Sequence, residues 1–260
     1  MTINDAHESA QSTFIGMKEL QITKPPKMDF YGTEAVNSIC TNILFAGNKL
    51  KTILLTSCAA TEGKSSMAAR ILMQFAHRGL KTVYVDVDLR KSKVAGKLGL
   101  KTEGKLYGLS HYLAGRVELE NIVYKTDIPN AYMIPAGKTV ANSVALINSQ
   151  AFTALFDRLK AEFDMIVVDT PPIGVVIDAA DIAPVCDGSV MVIEYGKRHR
   201  HEVQQAVKQM KLTSIPVLGC IIDKVTASSP SEKRYYKNHY YYSHYGEGYE
   251  NKSSQKTDAK

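Results

Sequence analysis

The residues between Ser57 and Ser66 have the types and spacing that bind phosphate. They follow the phosphate-loop pattern G-x-x-x-x-G-K-[ST], except that Cys58 occupies the first glycine position. In such a loop backbone N–H groups surround a phosphate, the lysine adds a positive charge, and the final hydroxyl ligates Mg²⁺. The alternative is a chance Gly-Lys-Ser at the start of a helix. The pattern predicts that ATP and Mg²⁺ bind at Ala60, Thr61, Glu62, Gly63, Lys64, Ser65 and Ser66.

Acidic residues end two further segments whose composition predicts buried strands. Asp86 and Asp88 alternate where the run TVYVD ends, and Asp169 ends the run MIVVD. Asp86 is the candidate base for an attacking hydroxyl, Asp88 and Asp169 would organise the metal, and Arg90 would stabilise developing phosphate charge. A solvated turn is the alternative for Asp86 and Asp88. The predicted catalytic residues are Lys64, Asp86, Asp88 and Arg90, and the predicted metal ligands are Ser65, Asp88 and Asp169.

Short β-rich runs recur along the chain between stretches of helical periodicity. The predicted strands cover residues 52–56, 82–86, 132–134, 165–169, 189–193 and 217–222. This alternation predicts an α/β fold with a doubly wound, mostly parallel sheet and helices on both of its faces. The candidate residues follow the strands, so the site is expected at their carboxyl ends.

The remaining segments predict three regions. Residues 1–28 contain Lys24-Pro25-Pro26-Lys27, a pair of prolines that disfavours helix and strand, and are expected to form a mobile or surface-wrapped arm. Residues 29–226 form the predicted nucleotide-binding domain, and residues 227–260 a flexible tail. An amphipathic helix starting at Thr33 should pack on the sheet ahead of the first strand.

Composition indicates where in the cell the protein is expected and whether disulfides or zinc are expected. An apolar content of 45% in 260 residues is enough for one substantial core. No apolar stretch approaches the roughly 20 residues of a membrane span, and the polar first residues lack a signal-peptide pattern, so a cytoplasmic location is expected. Four cysteines without paired or metal-ligand spacing predict neither disulfides nor structural zinc. The net charge of +6 does not select a partner.

Half of the fourteen tyrosines lie in one short window near the end of the chain. Few aliphatic residues accompany them, so core packing does not explain the cluster. A nucleic-acid stacking surface or an aromatic interaction tail is an alternative, but autophosphorylation sites fit better. A flexible linker of about 15 residues would reach roughly 20 Å, which permits phosphorylation in cis or by a neighbouring subunit. The predicted acceptors are Tyr235, Tyr236, Tyr240, Tyr241, Tyr242, Tyr245 and Tyr249.

Taken together, these motifs resemble bacterial tyrosine kinases of the capsule and exopolysaccharide type, specifically their separate cytoplasmic kinase subunit. The resemblance rests on the loop TSCAATEGKS, the motifs VYVDVDLR and IVVDTPP, and the tyrosine cluster. It implies a P-loop NTPase fold related to MinD and ParA, and autophosphorylation that regulates polysaccharide synthesis and export. The implied partners are a transmembrane chain-length adaptor that recruits the kinase to the inner face of the membrane, and a cognate tyrosine phosphatase. No nucleic-acid partner is expected.

Several positions depart from the patterns of these relatives. Family members often carry E-x-x-R-x-x-R on the helix before the first strand, whereas this chain has Asn37 and Cys40 at the arginine positions. A homo-oligomeric ring would therefore need other contacts. Asp223 stands where relatives commonly place Asn, which leaves its role in base recognition open.

Two other classes remain as alternatives. A positioning ATPase of the MinD/ParA class would place its signature lysine at position 59, where this chain has Ala59. A non-catalytic, nucleotide-dependent assembly factor would keep the fold and use the tyrosine tail for docking.

Overall fold

A computed structural model describes residues 16–47, 49–176 and 178–225 of the chain. Within these ranges the strands form one sheet in the order β4-β1-β5-β6-β3-β7-β2-β8-β9. The strands are β1 (Lys18–Ile22), β2 (Thr52–Ser57), β3 (Thr82–Asp86), β4 (Leu100–Lys101), β5 (Tyr124–Thr126), β6 (Ala131–Ile134), β7 (Met165–Asp169), β8 (Gly188–Glu194) and β9 (Val217–Asp223).

Helices connect most of these strands. They are α1 (Phe30–Phe45), α2 (Lys64–His77), α3 (Val94–Leu98), α4 (Leu109–Leu113), α5 (Ser143–Ile147), α6 (Gln150–Glu162), α7 (Asp178–Ile182) and α8 (Arg200–Lys211). Short 3₁₀ turns occupy Leu119–Asn121 and Ala183–Val185. Within the ranges that the structure describes, no helix is both long and apolar enough to cross a membrane.

The sheet is mostly parallel, and this confirms the predicted fold class. Strand β2 pairs in parallel with β7 and β8, and β3 pairs in parallel with β7 and β6. Among the described residues, antiparallel pairing is confined to β1 with β4 and β5 with β6. All six predicted strands are present, with ends that differ from the prediction by one residue at most. The β2, β7 and β3 strands are adjacent, so their carboxyl ends meet at one edge.

Apolar residues on both faces of the central strands explain the layered architecture. In β2, Leu54 packs in the core with helix α6, whereas Ile53 and Leu55 pack in the opposite core with α2. All three side chains are fully buried, and each contributes about 1.5–3 kcal/mol through removal of its apolar surface from water. The predicted inner face of α2 is confirmed, since the following residues are at most 2% exposed: Ala68, Ile71, Leu72, Phe75 and Ala76.

The prediction of an arm over residues 1–28 is wrong for residues 18–22. These residues form strand β1, which pairs in parallel with β5 and antiparallel with β4. Leu20 and Ile22 are buried in alternation with exposed neighbours, the pattern of an amphipathic strand. The compact unit that includes β1 ends at Asp223, and the predicted tail of residues 227–260 lies outside the described residues.

The buried position of Leu20 gives a test of this correction. Leu20→Ala should lower the free energy of unfolding by about 3 kcal/mol, because it leaves a cavity in the core. The adjacent side chain of Gln21 is exposed, so Gln21→Ala should change it by less than about 0.5 kcal/mol. Urea unfolding followed by circular dichroism measures both. Equal, small effects would show that β1 does not contribute to the core.

Candidate functional site

The loop between β2 and α2 is shaped by two residues with positive φ, Thr61 at 71° and Gly63 at 91°. Gly63 caps α2, and its carbonyl accepts the first bond of the helix from the Met67 N–H at 2.8 Å. A Cβ atom at Gly63 would lie 2.0 Å from Asp223 Oδ2. Glycine is required here both for the φ angle and for this close approach. The loop therefore leads into the N-terminus of a 14-residue helix, where backbone N–H groups attract anions.

Lys64, the first residue of α2, is buried at this edge of the sheet. Its Nζ donates to Oδ1 of Asp169 at the end of β7. The second oxygen of Asp169 accepts from the Tyr84 hydroxyl at 2.6 Å, and Ser65 also interacts with that hydroxyl. Lys64 is 7% exposed and Asp169 0%, so the pair must offset its loss of hydration through these hydrogen bonds.

Asp86 lies beside this pair at the end of β3. It is 1% exposed, and its backbone is the register partner of Asp169 on the neighbouring strand. Burial, and then the charge of Asp169, raise the pKa of Asp86 to about 8, although a hydrogen bond from Ser92 Oγ opposes the shift. A carboxyl group that titrates near neutral pH is suited to accepting a proton.

Asp88 is half-buried in the turn that follows. Its Oδ1 accepts from the Lys91 N–H at 3.0 Å, and its own N–H donates to Asp86 Oδ1 at 3.2 Å. The turn thus fixes the main chain between the two acids. These contacts are those of a turn, and the predicted role of Asp88 at a metal stays a prediction.

Arg90 has a partner that sequence analysis did not assign. Its Nε and Nη2 donate to the two carboxylate oxygens of Asp178 at 2.8 and 3.0 Å, and Ser143 Oγ donates to the same carboxylate at 2.9 Å. Asp178 is fully buried and begins α7, while Ser143 begins α5. The Asp178 carboxylate therefore joins the turn that holds Arg90 to the starts of α5 and α7, and among the described residues no contact places Arg90 at the Lys64 cluster.

The side chains near Lys64 fit a Mg²⁺-nucleotide. Asp86, Asp169 and the Ser65 hydroxyl are hard oxygen donors, which Mg²⁺ prefers. Within the described ranges no three His, Cys, Asp or Glu side chains converge on one point. One or two carboxylates nonetheless suffice for Mg²⁺, because phosphate oxygens and water complete its shell. The carboxylates of Asp86 and Asp169 repel each other, and a divalent cation would relieve that repulsion.

The other residues of the predicted loop differ in how far they are exposed to solvent. Ala60 and Thr61 are exposed, Ser66 is half-buried, and Glu62 is buried with its carboxylate turned towards the Ala59 N–H and Arg198. Sequence analysis missed Tyr84, Ser92 and Arg198 as partners of site residues. Tyr84 precedes Asp86 by two positions in a strand, so it shares a face with that acid, and this alternation is a usable signal. Arg198 lies 136 residues from Glu62 in sequence and offers no such signal.

The positions that depart from the family pattern make contacts within the chain. The Asn37 carbonyl accepts from Arg78 at 2.7 Å and its side chain accepts from Gln74, so Asn37 ties α1 to α2. Cys40 is fully buried in the same helix. Asp223 pairs with Arg70 at 3.4 Å, and its part in base recognition stays a prediction.

Comparison with known proteins shows the family of this chain. A family model described as an AAA domain matches residues 50–214. The tyrosine-protein kinase CpsD of Streptococcus agalactiae is 38% identical over 195 residues, which cover 75% of this chain and 84% of that protein. The chain belongs to the bacterial tyrosine kinase family. This match confirms the resemblance to tyrosine kinases that the sequence motifs indicate.

Solved structures agree with membership of this kinase family. The chimerical protein CapA2B2 superposes with a TM-score of 0.72 at 27% identity, and the match covers 81% of this kinase and 94% of that chain. The septum site-determining protein MinD of Pyrococcus horikoshii, solved in complex with Mg-ADP, superposes with a TM-score of 0.57 at 23% identity. That match covers 66% of this kinase and 69% of MinD and shows a shared fold alone.

The Arg90 contact in this kinase gives a prediction for stability. Burial raises the pKa of Asp178, but hydrogen bonds from Arg90 and Ser143 outweigh it and hold that pKa below its usual value. Arg90→Ala should therefore cost about 2 kcal/mol at pH 7, because it leaves a buried carboxylate undercompensated. A depressed pKa stabilises only above the unfolded value, so the loss should shrink as the pH falls below about 4.

Urea unfolding at pH 7 and pH 3.5 measures this effect. The matched control is Arg158→Ala, which removes a partly exposed pair with Glu120 and should cost less than about 1 kcal/mol at pH 7. An Arg90→Ala cost that equals the Arg158→Ala cost, or that grows in acid, would contradict the prediction.

Proposed function

We propose that the chain is an ATP-dependent protein-tyrosine kinase that phosphorylates its own C-terminal tyrosines. The observation that carries the proposal is the convergence of Lys64, Asp86 and Asp169 at the carboxyl ends of three adjacent strands. The cluster contains a positive charge, a carboxyl group whose pKa lies near neutral pH, and a buried carboxylate. Phosphoryl transfer uses groups of these kinds.

The loop and Lys64 would hold the phosphates of ATP. The N–H groups at the start of α2 would face the phosphates, and Lys64 carries the positive charge that phosphate oxygens attract. Phosphate and Asp169 compete for the ammonium group of Lys64. When ATP binds, Lys64 would therefore exchange its bond to Asp169 for a bond to a phosphate oxygen. Mg²⁺, held by Ser65, Asp88 and Asp169, would neutralise charge on the phosphates.

Asp86 would act as the base. The tyrosine oxygen bonds to the γ-phosphorus, the bond from that phosphorus to the ADP oxygen breaks, and the phenolic proton passes to the Asp86 carboxylate. Ser92 donates to Asp86 and orients its carboxylate. Tyr84 stays protonated because burial raises its pKa well above the usual value, so it serves as a donor to Asp169.

The proposed acceptors are the seven tyrosines between Tyr235 and Tyr249, all of which lie outside the described residues. Their number in a segment poor in aliphatic residues supports the assignment. Attachment to the kinase raises their local concentration to about the millimolar range, which favours transfer even where affinity for the acceptor is weak.

The family membership supports a wider role on the cytoplasmic side of the membrane. We propose recruitment by a transmembrane chain-length adaptor that activates the kinase, reversal by a tyrosine phosphatase, and control of capsular or extracellular polysaccharide synthesis and export. A homo-oligomer is part of this proposal. Its contacts would differ from the arginine pattern of relatives, since Asn37 and Cys40 are engaged within the chain.

Phosphopeptide mass spectrometry tests the kinase assignment. With Mg-ATP and the adaptor's cytoplasmic segment, the wild-type chain should gain phosphate on residues 235–249. Lys64→Met should reduce this at least 100-fold, because it removes the charge that holds the phosphates. The matched control is Lys160→Met, since Lys160 pairs with Asp187 at the opposite edge of the sheet and should not affect the yield.

Hydrolysis of ATP without phosphotyrosine, with the adaptor segment present, would reject the kinase assignment in favour of a positioning ATPase. Absence of both nucleotide turnover and phosphotyrosine would favour an assembly factor. An equal loss of phosphotyrosine in Lys64→Met and Lys160→Met would show that the loss does not depend on the phosphate loop.

The base assignment gives a separate prediction. Asp86→Asn should lower kcat at least 100-fold while the affinity for ATP changes less than threefold. A raised pKa keeps Asp86 protonated at low pH, so the wild-type rate should increase as the pH rises from 6 to 8.5. A bound cation lowers the midpoint below 8. Initial rates at saturating ATP measure this, and a wild-type rate that falls over this range would contradict the role.

A further inference from the structure

We propose that Arg198 is a positioning residue that neutralises Glu62 and so allows the phosphate loop to accept a nucleotide. This inference rests on the proposed binding of ATP at Lys64. It concerns a buried ion pair that the mechanism above does not use.

Glu62 places a carboxylate in a loop that is proposed to bind anions. Its side chain is fully buried, and its Oε2 accepts from the Ala59 N–H at 2.9 Å. The carboxylate therefore closes the loop on itself and occupies an N–H group that could otherwise face a phosphate. It also puts a negative charge only two residues before Lys64.

Arg198 supplies the opposite charge from a distant part of the chain. Its Nε donates to Glu62 Oε1 at 2.6 Å, and its Nη1 contacts Glu202 Oε1 at 3.4 Å. Glu202 in turn accepts from the His199 N–H at 2.9 Å and caps the start of α8. The guanidinium is thus anchored to a helix terminus and has a defined position relative to the loop.

The electrostatic consequence follows from the burial of this pair. A carboxylate without water or a partner would repel the phosphates strongly, because the surroundings screen its charge poorly. The side chain of Arg198 is only 22% exposed and contacts that carboxylate directly. Both charges act on the pKa of the Cys58 thiol at the start of the loop. Burial and then Glu62 raise its pKa to about 11, and Arg198 opposes them.

The effect of a neutral residue at position 62 distinguishes neutralisation of Glu62 from direct contact between Arg198 and a phosphate. If Arg198 acts through Glu62, removal of the arginine harms binding only while the carboxylate is present. If Arg198 instead touches a phosphate, changing Glu62 to a neutral residue cannot restore what the arginine supplied.

Isothermal titration calorimetry with Mg²⁺ and adenylyl imidodiphosphate provides the test. Arg198→Ala should raise the Kd at least tenfold, and Arg198→Ala combined with Glu62→Gln should return it to within threefold of wild type. Glu62→Gln alone should bind at least as tightly as wild type, because an amide oxygen still accepts from Ala59. The matched control is Arg200→Ala, which removes the same charge from an exposed side chain two residues away and should change the Kd less than threefold.

Thermal melting of each variant confirms folding, and Glu62→Gln keeps the test valid if Arg198→Ala does not fold. A double variant no better than Arg198→Ala, or a Glu62→Gln variant that binds at least tenfold more weakly than wild type, would overturn the inference. An equal effect of Arg198→Ala and Arg200→Ala would also overturn it. If wild type itself does not bind, the proposed function fails along with the inference, and this outcome is distinct from a failure confined to the variants.

Discussion

The buried contact between Lys64 and Asp169 is the constraint around which the site is organised. An ammonium and a carboxylate removed from water are tolerated only when further hydrogen bonds satisfy them, and Tyr84 provides one. The contact joins the first turn of α2 to the end of β7, while β3 brings Asp86 alongside. The same burial that makes the pair costly raises the pKa of Asp86 into the range useful for proton transfer.

Much of this arrangement could be predicted because its signals are local. The runs that become β2, β3 and β7 are apolar throughout, as expected of strands covered on both faces, and each leads into its site residue. Parallel strands with helical connections leave their carboxyl ends at one edge, so Lys64, Asp86 and Asp169 had to lie close together. The missing first glycine did not mislead, because the glycine before Lys64 has the positive φ that the loop requires there, whereas Cys58 is not among the residues with positive φ.

What could not be predicted depends on contacts between distant parts of the chain. Strand β1 is short and lies beside a proline pair, and its pairing with β5 joins residues about 100 positions apart. Arg90 follows an acidic strand end that suits phosphate, yet it pairs with Asp178, which is 88 residues away. Glu62 belongs to the phosphate-loop pattern, but its carboxylate pairs with Arg198, which is 136 residues away. The partner of a charged side chain depends on the folded structure, and the spacing of residues in the sequence does not indicate it.

A crystal structure of the chain with Mg²⁺ and adenylyl imidodiphosphate would show whether the nucleotide binds at Lys64. We expect the β-phosphate at the N-terminus of α2, with Lys64 Nζ moved from Asp169 to a phosphate oxygen and Mg²⁺ on Ser65 beside Asp169 and Asp86. The γ-phosphorus should face Asp86. A nucleotide bound elsewhere, or bound at the loop while Lys64 remains on Asp169, would contradict it.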